Sequence, residues 1–201
     1  MNEARIDFVS EVVSELLETK VGINLPQTKR IHYSSIDCNG FFDNTPELTF
    51  QCAVGKPEEE WFPIFIHEYC HYRQWKEKEP CYFKMKEVDA EGRLDRWIGG
   101  EEHLMDFVYR YADLTKANEY NCEERVVVIL EAHPELDIDK IKYIKQANSY
   151  VWFYDIIPQV RQWYGTAPYE VEEIYSKLPE NLLRCCNVDE YPNLVKEHCL
   201  I

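Results

Sequence analysis

Apolar residues recur at helical spacing along most of this chain. Ile6, Val9, Val13, Leu16 and Leu17 fall on one side of residues 3–20, with Glu and Lys between them. That spacing predicts an amphipathic helix ended near Gly22 and Pro26. Residues 30–37 read as extended, Asn39-Gly40 as a turn, and residues 48–54 as a second extended run closed by Gly55. These predict a small antiparallel sheet. Lys56-Pro57-Glu58-Glu59-Glu60 then carries an early proline and a run of acids, the composition of a helix start. A helix is expected from Pro57 or Glu60 to Lys78, with Pro63 as another possible start and Pro80 beyond its end. Residues 85–98 form a weaker helical stretch stopped by Gly99-Gly100.

The longest periodic run covers residues 101–132. Leu104, Val108, Tyr111, Thr115, Glu119, Cys122, Val126 and Ile129 follow a three-four spacing, and His133-Pro134 ends it. Another helix is expected over 137–165, with Ile141, Ile144, Ala147, Val151, Tyr154 and Ile157 in phase and Pro158 kinking or breaking it. Residues 171–178 make a short helix. The rest reads as a loop-rich tail. The fold class is therefore α+β and mostly α: a small antiparallel sheet beside one helix, together with a helical bundle. At 201 residues, a single domain spanning 1–201 is expected.

Within the helix that follows the sheet, His67-Glu68-Tyr69-Cys70-His71 reads H-E-x-x-H. Two histidines four residues apart share one helical face, so both imidazoles can reach one metal ion. Glu68 stands where it can take a proton from a metal-activated water. Ile64, His67, His71 and Trp75 share a stripe, which places the histidines toward the interior, where an unsatisfied imidazole is costly. A catalytic zinc site needs a third protein ligand. Glu119 and Glu123 are the candidates, because E-x-x-x-E puts both carboxylates on one side of an apolar seam. One can bind metal while the other steadies a ligand histidine. Cys70 points about 100° away from His71 on the helix and is expected to pack. A lone His32 in a strand is expected to be an ordinary surface or core residue.

Charge and cysteine content bound the rest. The net charge of -15 repels nucleic-acid phosphates and anionic membranes, so neither is an expected partner. No stretch approaches 18 consecutive apolar residues and the N-terminus shows no secretory pattern. The eight cysteines are therefore expected to be reduced thiols in a cytoplasmic protein, most of them small core residues.

H-E-x-x-H followed on a later helix by Glu119 and an acidic residue four positions on resembles the gluzincin branch of zinc metallopeptidases. The segment Ala117-Asn118-Glu119-Tyr120-Asn121-Cys122-Glu123-Glu124-Arg125 is also similar to stretches of small H-E-x-x-H proteins from bacteria and their phages. The resemblance implies a zincin-like fold binding Zn2+ through His67, His71 and Glu119, with Glu123 as second candidate or histidine-steadying residue. It implies hydrolysis of peptide bonds in a peptide or protein substrate, with Glu68 as general base. It also implies that a strand edge, here residues 48–54, receives extended peptide. Tyr150, Tyr154 and His103 are candidates for stabilising the oxyanion. If phage-encoded, the protein would act in the host cytoplasm. The alternative is an acidic interaction protein of a phage or mobile element, with a protein partner and a structural or inactive zinc site.

Overall fold

The computed structural model describes residues 1–33 and 36–200. Among these residues the fold is mostly α with five short strands, the expected fold class. The chain divides into two compact units, 1–78 with 125–138 and 79–124 with 139–201.

The first unit opens with helix α1 (Glu3–Glu18), capped by Asn2, whose side chain accepts from the Arg5 amide. It stops at Lys20 rather than at Gly22: Lys20 takes a positive φ of 60°, a left-handed residue that turns the chain out of the helix. Gly22 instead begins strand β1 (Gly22–Asn24). Within the extended run at 30–37, β2 (Ile31–Tyr33) pairs antiparallel with β3 (Ile36–Cys38), and Ser34 and Ser35 lie outside the described residues. Asn39-Gly40 is the junction into β4 (Gly40–Asp43), so it does not close a hairpin.

Strand β5 (Thr49–Cys52) lies in the middle of a three-stranded sheet ordered β1-β5-β4. It pairs parallel with β1 and antiparallel with β4, so the sheet is mixed where an antiparallel one was expected. This also corrects the expected edge. β5, within the 48–54 segment, has neighbours on both sides, and its backbone groups are committed to them. The edges are β1 and β4.

Helix α2 (Glu58–Lys76) follows, with Glu58, Glu59 and Glu60 in its first turn. The helix begins ahead of Pro63, which sits inside it. Its sheet-facing side, at three- and four-residue spacing, carries Phe65, Glu68, Tyr72 and Trp75. Phe50 meets Phe65 edge-on at 5.2 Å, and Phe42 meets Tyr72 at 5.7 Å and Trp75 at 6.0 Å. The side holding Phe62 and Tyr69 meets α1, where Phe8 lies 6.0 Å and 6.2 Å from those rings. Arg5 ties in residues 136–137: it donates to the Leu136 and Asp137 carbonyls and to Glu58, each at 2.7 Å.

The second unit holds α3 (Pro80–Glu87), α4 (Ala90–Ile98), residues 105–124 of α5 (Met105–Ala132), α6 (Lys140–Val160), α7 (Glu172–Tyr175) and α8 (Tyr191–His198). The weak helical stretch at 85–98 is two helices, broken at Asp89 with φ 53°. Pro158 lies inside α6, which runs only two residues further before Arg161 turns out at φ 52°. The tail is ordered by α6. The Asn148 amide donates to the Pro179 and Asn181 carbonyls and accepts from the Leu183 amide. The Trp152 indole donates to the Leu183 carbonyl at 2.7 Å. These bonds satisfy groups buried beside Trp152, Phe153, Ile174 and Val195 in the core. α8 within this tail was not expected from the sequence.

A candidate metal centre on helix α2

His67 and His71 project from the third side of α2, the one turned toward neither the sheet nor α1. Their Nε2 atoms approach to 3.0 Å, with the rings nearly perpendicular at 87°. Two nitrogens on a tetrahedral zinc stand about 3.3 Å apart, given Zn–N of about 2.0–2.1 Å. The pair is therefore close to the spacing that a shared ion imposes.

The other nitrogen of His71 is engaged as well. Nδ1 lies 2.8 Å from Gln74 Oε1, three residues along the same helix, and Gln74 is fully buried. With the amide oxygen accepting, Nδ1 carries the proton and Nε2 presents its lone pair. This is the tautomer a metal requires. Gln74 was not singled out in the sequence, although its three-residue offset from His71 was the available signal.

Glu68 is buried, at 6% exposure. It points toward the sheet, beside the start of β4. A side chain at Gly40 would place its Cβ 2.8 Å from Glu68 Cγ and 3.0 Å from the Gln51 carbonyl oxygen. Only glycine lets the strand pass this close to the carboxylate. The thiols nearby register the same group. Burial pushes the Cys38 thiol up to about 11, with the charges of Glu68 and Asp37 adding to it. Burial and Glu68 likewise push Cys52 well up. Neither thiol is a ready nucleophile at neutral pH.

The two carboxylates proposed from the sequence lie on α5 in the second unit. Glu119 and Glu123 are 3% and 4% exposed, and Cys122 between them is fully buried. Glu123 Oε2 accepts a short hydrogen bond from the Tyr143 hydroxyl of α6. Glu119 shares its surroundings with Tyr150 and Tyr154, whose hydroxyls lie 3.1 Å apart. Burial raises both phenols well above the ordinary tyrosine value, and the Glu119 charge is the next cause. A buried acid at position 119 is thus set among phenols rather than on a solvated face.

The other residues considered from the sequence have surroundings of their own. His32 is an exposed strand residue 3.1 Å from Asp37. His103 sits 3.3 Å from Glu101, ahead of the first turn of α5. Cys70 is fully buried, as expected of a packing residue. No helix is long and apolar enough to cross a membrane among the described residues, and all eight cysteines are free. No family model, curated protein or solved structure matches this chain.

Proposed function

We propose that the protein is a zinc-dependent metallopeptidase of gluzincin type, with His67 and His71 as ligands and Glu68 as general base. The observation that carries this reading is the pair of Nε2 atoms 3.0 Å apart, one of them on a ring oriented through Nδ1 by Gln74. A cation shared by the two rings fits that spacing.

The third ligand is assigned to α5. Glu119 is the first choice, and Glu123, already accepting from Tyr143, serves as the steadying acid. Cys122, on the same helix and fully buried, is the thiol alternative. Zinc bound there would act as a Lewis acid and bring the pKa of a water toward neutrality. The chain's own residues do the remainder. Glu68 takes the proton from the attacking water and returns it to the amine that leaves when the peptide C–N bond breaks. Its burial against Gly40 supports a well-defined position for that carboxylate. The edge strand β4, which starts beside Glu68, is positioned to pair with an extended substrate backbone. The eight free thiols suit a reducing, cytoplasmic setting.

Elemental analysis and a peptide-hydrolysis assay on matched variants test the reading. About one zinc per chain is expected, lost in His67→Ala and His71→Ala. Glu68→Gln is expected to keep the metal and lower turnover by about 10²–10⁴-fold. Full activity in Glu68→Gln would remove the mechanism. Metal content across Glu119→Ala, Glu123→Ala and Cys122→Ala identifies the third ligand.

A further inference from the structure

In the second unit, an open cleft of about 570 Å³ lies at the start of α5. Its apolar wall is unusually exposed for this protein. Leu104 is 71% and Phe107 45% exposed, and Met105 and Tyr109 beside them are also exposed. Phe107 stacks on Tyr111 at 6.3 Å and 17°, making a flat aromatic surface. A cleft of this volume is in the range that holds a small organic ligand.

Two arginines line the same cleft, and their state sets them apart. Arg5, Arg73, Arg96, Arg125, Arg161 and Arg184 each hold a carboxylate within 4.0 Å. Arg93 and Arg110 hold none among the described residues, in a chain of net charge -15 where carboxylates are in excess. Arg93 is half-buried. It spends Nε on the Val88 carbonyl at 2.9 Å and Nη1 on the Tyr111 hydroxyl at 3.2 Å, both neutral acceptors. Its guanidinium lies over the Tyr111 ring at 5.5 Å. Glu102, also on the cleft, is engaged by Arg161 at 3.1 Å. A half-buried guanidinium fixed by neutral partners, beside a second free one, is a receptor for an anion that planar N–H groups can grip.

We propose that this cleft binds a carboxylate carried next to an apolar group. The carboxylate sits between Arg93 and Arg110, and the apolar part lies against Leu104, Phe107 and Tyr111. A free aromatic acid and the C-terminal residue of a peptide share that chemistry. The site is independent of the metal centre.

Isothermal titration and saturation-transfer NMR on the full chain test it, with N-acetyl-L-phenylalanine as probe and its amide and inorganic phosphate as comparisons. The acid is expected to bind saturably, with the amide and phosphate each at least about tenfold weaker, the loss of one charge-assisted contact or of the apolar contact. Arg110→Gln, an exposed position, is expected to weaken the acid by at least about fivefold, while Arg184→Gln leaves it unchanged and circular dichroism confirms both folds. A hexapeptide ending in Phe that binds more tightly than the small acid identifies a chain end as the ligand, and the reverse order identifies a free acid. Equal binding of acid and amide, equal binding of phosphate, an unchanged Arg110→Gln, or no saturable binding overturns the proposal.

Discussion

At the scale of single residues, Gly40 and Glu68 form the tightest constraint beside the proposed centre. A Cβ added at Gly40 would meet the middle of a buried side chain at 2.8 Å and a backbone oxygen at 3.0 Å. Neither can yield freely. Gly40→Ala is expected to cost about 1–3 kcal/mol, the usual penalty for overpacking, read from urea unfolding. It should also displace the Glu68 carboxylate, so hydrolysis should fall further than stability alone explains. Metal content should stay near the wild-type level, because the histidines face elsewhere on α2. A variant with normal stability would show that the strand has room to move.

At the scale of elements, α1 and α2 are clipped together by Glu15. Its carboxylate accepts from the Tyr69 hydroxyl at 2.6 Å and from Lys76 at 2.8 Å. Burial alone would raise its pKa, but the hydrogen bonds from Lys76 and Tyr69, with the charges of Lys76 and Arg73, outweigh it and hold the group below 4.5. The stabilisation it supplies is therefore complete above pH 4.5 and is lost as pH falls through the lower folded value. Glu15→Gln should be less stable than wild type at pH 6, and the gap should close as pH drops below 4.5. Paired denaturation curves from pH 6 to pH 3 measure this. A gap that widens with acid would contradict the clip.

At the scale of the whole molecule, charge dominates. With 37 acidic residues against 22 Lys and Arg, the folded chain repels itself. Raising salt from about 20 to 300 mM shortens the screening length several-fold. The melting temperature should therefore rise with sodium chloride. A flat or falling trend would show that the ion pairs, several of them half-exposed, outweigh the net repulsion.

Periodicity located α1, α5 and α6, because each buries a stripe long enough for a three-four repeat to stand out, and an early proline with a run of acids announced α2. The same local rule placed both histidines on one face and both glutamates on another, since helical spacing fixes direction without any partner. What tertiary structure decided is what depends on remote neighbours. Lys20, Asp89 and Arg161 end or break helices in the left-handed region, with no glycine to announce it. β5 became the centre of a mixed sheet because β1, too short to register as a strand, pairs with it. α8 and the tail around it depend on Asn148 and Trp152 of α6, more than thirty residues earlier. At the candidate metal centre the sequence determined which side chains share a face. Packing decided that Glu68 is held against Gly40, which no spacing rule could reveal, because close approach belongs to two segments at once.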